Sequence, residues 1–186
     1  MSSRSSDIRT NRLVLTSLMA CLVLLGTILF RIPVPMTQGY VHLGDAMIFM
    51  SVMILGWKHG AIAAAIGGAL GDILGGFPVW APWTFCLKGI MAVILGLMIS
   101  YALKKQWIMI GRMPLGGLLG MVIGGIVMVA GYYAAEGIMY GNWAVAALGI
   151  PWNIGQFVVG LIIAWALTMA LTKTPAKKFF AYKFDK

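Results

Sequence analysis

Apolar residues run along this chain in long stretches separated by short polar or turn-rich connections, and nowhere do they alternate in twos. Continuous apolar runs approaching roughly 20 residues predict membrane-spanning helices, whereas a membrane barrel alternates apolar and polar positions over segments of about ten. Six helices are expected, over 13–30, 41–57, 61–74, 83–103, 115–135 and 150–171. The first reaches about 27 Å at 1.5 Å per residue, enough to cross the hydrocarbon layer, and Pro33 and Pro35 follow it because neither continues a helix unperturbed. The third is short and carries Gly67, Gly68 and Gly71, so that taken alone it reads as a re-entrant segment; a rigid, aromatic connection from Gly75 to Pro82 leads out of it.

Composition turns this pattern into a class. Of 186 residues, 61% are hydrophobic and only 10% charged, against about 25% charged in soluble domains. The expectation is an all-α, integral membrane six-helix bundle forming a single transmembrane domain over 1–186. Cys21 and Cys86 both lie inside apolar segments with no metal-like spacing, so neither a disulfide framework nor a zinc site is implied. Arg4, Arg9 and Arg12 precede an apolar run as in a signal peptide, but no small-residue cleavage pattern follows, and the segment reads as a retained helix.

The net charge of +9 would suggest nucleic acid in a soluble protein, but its distribution points elsewhere. Twelve of the 14 basic residues fall in four groups: the N-terminal arginines, Lys58, the Lys104/Lys105/Arg112 loop, and the tail with Lys173, Lys177, Lys178, Lys183 and Lys186. If all six segments cross, these groups share one side and only Arg31 lies opposite, which is the asymmetry expected of cytoplasmic loops. A re-entrant third segment would put the basic loop and the tail on different sides. Six spans with cytoplasmic N- and C-termini therefore fit best, and no nucleic-acid partner is expected.

Ionisable residues within spans are expensive, about 2.5 to 3.5 kcal/mol each near the bilayer centre on insertion scales, so the exceptions mark candidate chemistry. They are His42, Asp45, Asp72, Lys88 and Glu136, all in the outer half of the membrane in this topology. His42 and Asp45, Thr84 and Lys88, Tyr132 and Glu136, and Asn153 and Gln156 stand three or four residues apart, each pair on one helical face. Trp80, Trp83, Trp143 and Trp152 lie at the same depth. Structural roles compete with functional ones: an aromatic belt for the tryptophans, helix capping for the two aspartates, a salt bridge for Lys88, snorkelling for Glu136 and close packing for the glycines. No phosphate-cradling G-x-x-x-x-G-K-[ST] loop occurs, nor H-E-x-x-H or G-x-S-x-G, so neither ATP hydrolysis nor a common intramembrane hydrolase chemistry is carried by this chain. No catalytic residue, metal or cofactor is assigned, and the chain is not read as an enzyme.

Four stretches carry a resemblance: Tyr40-Val-His-Leu-Gly-Asp-Ala46, Gly67-Gly-Ala-Leu-Gly-Asp-Ile-Leu-Gly-Gly76, Ala81-Pro-Trp-Thr-Phe85 with Lys88-Gly89, and Pro151-Trp-Asn153 with Gln156. Together they resemble the substrate-binding S components of energy-coupling factor (ECF) vitamin transporters, over most of the chain. The resemblance implies a six-helix bundle in a bacterial cell membrane, an outward-facing vitamin site, and partners: one transmembrane coupling subunit and two cytoplasmic ATPases. Such families carry an A-x-x-x-A packing motif in the first helix; here Ser17 and Cys21 are its nearest counterparts, and with Ala20 they form the expected subunit interface.

The expected substrate site combines His42, Asp45, Asp72, Trp83, Thr84, Lys88, Tyr132, Glu136, Trp152, Asn153 and Gln156, a mixture suited to stacking on a small heteroaromatic ring and hydrogen-bonding its substituents. Within the resembled family this favours pyridoxine or hydroxymethylpyrimidine, with riboflavin as the rival. Two other classes stay open at this point: an ion-coupled carrier using Lys88 and the acidic residues as a proton relay, and a membrane enzyme with a metal held by His42, Asp45 and Asp72.

Overall fold

The computed structural model describes residues 2–37 and 39–183. In chain order the elements are α1 (Ser2–Leu29), β1 (Arg31–Pro33), β2 (Tyr40–His42), α2 (Gly44–Leu74), a 3-10 turn (Pro78–Trp80), α3 (Ala81–Lys104), β3 (Met109–Ile110), β4 (Met113–Pro114), α4 (Leu115–Tyr140), α5 (Trp143–Ala147), α6 (Ile150–Leu171) and a second 3-10 turn (Pro175–Phe179). The protein is mostly helical. Among the described residues, five helical stretches are long and apolar enough to cross a membrane: Thr10–Leu29, Gly44–Leu74, Pro78–Lys104, Leu115–Tyr140 and Trp143–Leu171.

The second of these joins the expected second and third helices, and it is not straight. Gly56 leaves helical geometry at φ 76°, ψ 173°, a region open essentially to glycine alone. Four residues later a Cβ at Gly60 would lie 2.7 Å from the Cα of Val52, and Ser51 Oγ donates to the Gly60 carbonyl at 3.2 Å. Eight residues of straight helix would separate Val52 from Gly60 by about 12 Å. The chain therefore turns back at Gly56, and the two halves of α2 lie side by side. The loop Lys58-His59-Gly60 read from the sequence is absorbed into the helical hairpin.

α1 packs on α2, α2 on α3, α3 on α4, and α6 closes against both α2 and α4. Small residues set the spacing. A Cβ at Gly67 would meet the Ala20 carbonyl at 2.4 Å; along the α3/α4 seam, Cβ atoms at Gly120 and Gly124 would stand 3.0 Å from the Leu95 Cα and the Met91 carbonyl. The core between these helices is built from Val23, Phe49, Met53, Met91, Leu95, Met121 and Met128. Leu13, Leu18, Leu25, Ile126 and Ile162 face outward, the inversion expected where lipid is the solvent.

At one end of the bundle β1 and β2 pair antiparallel, Ile32 opposite Val41. Arg31 ties this hairpin to the end of α2 through Nη1 to the Gly75 carbonyl (2.7 Å), with its guanidinium against the Tyr40 and Phe77 rings. At the other end the tail crosses the turn of α2: Ala181 N–H donates to the Met53 carbonyl (3.0 Å) and Tyr182 Oη to the Gly96 carbonyl (3.1 Å).

Several expected boundaries shift. Residues 41–43 are not the start of a helix, because Tyr40–His42 pair with Arg31–Pro33, so His42 and Asp45 do not share a helical face. α4 runs five residues beyond the expected 135, to Gly141 in the left-handed conformation, and α5 forms behind an Asn142 cap whose Oδ1 accepts from Val145 N–H at 3.0 Å.

Candidate functional site

The β1–β2 hairpin, the end of α2, the start of α3, the end of α4 and the start of α6 converge on one partly open cavity with a volume of about 40 Å³. The hairpin contributes Val34, Thr37, Gly39, Tyr40 and His42, and α2 contributes Asp72. Trp80 and Thr84 come from the 3-10 turn and α3, Tyr132 and Glu136 from α4, and Gly149, Asn153 and Gln156 from the α5–α6 corner. The cavity mixes aromatic rings with a few convergent polar groups, as small-molecule sites do.

The aromatic wall is made by Tyr40, Trp80 and Tyr132, with the Trp80 and Tyr132 rings 6.0 Å apart. Thr84 Oγ1 and Tyr132 Oη share a hydrogen bond of 2.9 Å, and Tyr40 Oη donates to Asp72 Oδ1. Burial, and then the neighbouring Asp72 charge, push the Tyr40 hydroxyl well above its ordinary range, so Tyr40 stays a donor. His42 is held neutral: burial and then the Lys88 charge lower it to about 3. Its Nδ1 accepts from Gly44 N–H at 3.0 Å, which places the ring proton on Nε2.

Behind the cavity wall lies a buried ionic network. Lys88 Nζ pairs with Asp45 Oδ1 at 2.5 Å, and both side chains are 0% exposed. Gln156 links the pair to the cavity: Nε2 donates to Asp45 Oδ2 (3.0 Å) while Oε1 accepts from His42 N–H (2.9 Å). The pairing satisfies the rule that ions inside a membrane bundle face each other rather than lipid.

Of the residues expected to bind substrate, His42, Asp72, Thr84, Tyr132, Glu136, Asn153 and Gln156 line the cavity. Asp45 and Lys88 do not; they stand one residue behind it. Trp83 is absent from its lining, and Trp152, 39% exposed, faces a separate apolar groove between the hairpin and α6. Tyr40 and Trp80 take the aromatic places instead. Trp80 ends the Pro78–Trp80 turn and is buried, 6% exposed, while Trp83, three residues on, is half-buried and outside the lining. His42, Asp45 and Asp72 do not assemble a metal site: no group of three or more His, Cys, Asp or Glu comes together among the described residues. On α1, Ser17 and Cys21 are exposed, while Ala20 is half-buried against Gly67.

A 152-residue match, 38% identical, covers 81% of this chain and 95% of an uncharacterized protein of Pyrococcus woesei. The thiamine precursor transporter HmpT of Lactococcus lactis is 28% identical over 147 residues, 78% of each chain. The solved structure of the S component of a bacterial ECF transporter superposes with a TM-score of 0.69 at 19% identity, covering 89% of this chain and 97% of that one. The family of ECF-type riboflavin transporter S components matches residues 7–173, and with nearly the whole chain accounted for, the protein belongs to that family of membrane transport subunits.

Proposed function

We propose that this chain is the substrate-binding membrane subunit of an ATP-driven vitamin importer, taking a small heteroaromatic ring such as hydroxymethylpyrimidine or pyridoxine into the cavity under the β1–β2 hairpin. The observation that carries the reading is the lining itself: three aromatic rings on one side, and Asp72, Asn153 and Gln156 placed to hydrogen-bond ring substituents. The likeness to a thiamine precursor transporter supports the pyrimidine. Riboflavin is the second reading, favoured by the description of the matching family.

In this proposal the protein is one transmembrane domain that crosses six times, each half of the folded α2 counting as a crossing. Both termini and the basic loops lie in the cytoplasm, and the cavity opens outside. Asp45 and Lys88 hold the cavity floor through Gln156 rather than touch the ring. A transmembrane coupling subunit docks on the exposed Ser17 and Cys21 face of α1, and two cytoplasmic ATPases supply the energy.

Titration of the purified chain tests the ligand. Tight binding of hydroxymethylpyrimidine or pyridoxine, weakened by Gln156→Ala, supports the assignment. Quenching of riboflavin fluorescence without response to the smaller rings replaces it with the second reading, and uptake driven by a proton gradient without ATP would replace the whole mechanism with ion-coupled transport.

A further inference from the structure

Asp72 has a peculiarity that its neighbours do not explain. It is 3% exposed and lines the cavity, yet only one of its carboxylate oxygens is used: Oδ1 accepts from Tyr40, and Oδ2 has no hydrogen-bond partner. The Thr84 hydroxyl reaches toward the same carboxylate, but its 2.9 Å hydrogen bond is with Tyr132 and Oδ2 keeps no well-formed partner. A buried acceptor left unsatisfied is destabilising by itself, which leaves an unmet demand for a donor at that point of the wall.

Gln156, another lining residue, also has acceptor capacity left. Gln156 is locked in one orientation, its Nε2 turned to Asp45 and its Oε1 to the His42 N–H, so the cavity side of this amide offers the remaining lone pair of Oε1. Among the described lining residues there are two carboxylates, Asp72 and Glu136, and no lysine or arginine. Beside donors such as His42 Nε2 and the Asn153 amide, the described lining thus presents carboxylate acceptors and no side-chain cation.

Resting on the reading of the cavity as a ring-binding site, we infer that Asp72 selects the ligand by accepting, at Oδ2, a hydrogen bond from a donor carried on the ligand's ring, so that an aminopyrimidine is taken and its oxo counterpart refused. Tyr40 aims the carboxylate by holding Oδ1. A site built to meet a donor rejects an analogue lacking it, because the acceptor is then buried without a partner.

The test is calorimetric titration of the full-length chain in detergent micelles with 4-amino-5-hydroxymethyl-2-methylpyrimidine and the same ring bearing a 4-oxo group. The expected result is at least about tenfold tighter binding of the amino ring, the discrimination that a hydrogen bond to a charged group provides. Asp72→Asn, which presents an amide N–H in place of Oδ2, should weaken the amino ring by about the same factor and improve the oxo ring. A brace between hairpin and α2 would not reverse the preference in this way. Equal affinity of the wild-type chain for the two rings, or an unchanged preference in Asp72→Asn, overturns the inference while leaving ring binding intact. Should Asp72→Asn fail to fold, the wild-type comparison decides alone. If only riboflavin binds, the small-ring reading falls and the donor rule passes to the flavin N3–H: N3-methylriboflavin should then bind at least about tenfold more weakly, and equal binding overturns it. Binding of none of these rings overturns both.

Discussion

Replacing Lys88 by methionine isolates the energetics of the buried network. The substitution keeps an unbranched chain of similar length inside the bundle but removes the cation that, among the described residues, pairs with Asp45, whose side chain is 0% exposed and keeps its hydrogen bond from Gln156. Breaking a buried ion pair from one side costs about 3–5 kcal/mol, because the surviving charge must either stay unpaired or take up a proton. In a chain of this size each kcal/mol moves the melting temperature by about 2–4 °C, so Lys88→Met should melt on the order of 10 °C lower in detergent micelles. The companion change Asp45→Leu removes the stranded carboxylate, and the double variant should recover most of the loss, giving a coupling energy of at least about 2 kcal/mol in a double-mutant cycle. Thermal unfolding followed by intrinsic tryptophan fluorescence reads all four proteins. A loss below about 1 kcal/mol in Lys88→Met, or a double variant no more stable than the single one, would refute the account of a closed, mutually dependent pair.

Gly56→Ala places a side chain at φ 76°, ψ 173° and should destabilise the protein by about 1–3 kcal/mol in the same melting assay; an unchanged melting point would remove the reason given for the turn of α2. The His42 ring is lowered to about 3, so the unfolded chain binds a proton there that the folded one refuses: stability should be full above about pH 6.5 and decline as the pH falls toward 3, by up to about 1.4 kcal/mol per unit, with His42→Asn flattening that slope. In a chain freed of Cys21 and Cys86, a cysteine at exposed Val79 should react with an impermeant reagent on intact cells, while cysteines at positions 58 and 105 should not; reaction at 105 is incompatible with the proposed topology. Leucine at both Ser17 and Cys21 should abolish uptake and spare ligand binding, and lost binding would make that face internal packing.

Much of this was legible because membrane insertion leaves few ways to place polar residues. Asp72, Thr84, Tyr132, Glu136, Asn153 and Gln156 stood out as polar interruptions of apolar runs at one depth, and the cavity gathers all six. The pattern could not separate the residues that touch the cavity from those one step behind it. Lys88 and Asp45 carry the same signal as Asp72, and only their mutual 2.5 Å contact shows them occupied with each other. Val41 and His42 read as helix because a strand of three residues is too short to show a period of two, and Val41 adjoins a long apolar run. Trp80 and Trp83 carry the same sequence signal, and only the fold shows that Trp80 is buried in the lining while Trp83 is not part of it.

The α3/α4 seam has a mechanical consequence. At Gly120 and Gly124 the space a methyl group would need is already filled by the backbone of α3, so the two helices mesh like gear teeth without clearance. Sliding either helix by a turn would carry Met121 or Met128 into gaps sized for a hydrogen atom. Such a joint transmits force but does not slip. Any change in which side of the membrane the cavity faces is then not made by sliding α3 along α4; the two move as one unit.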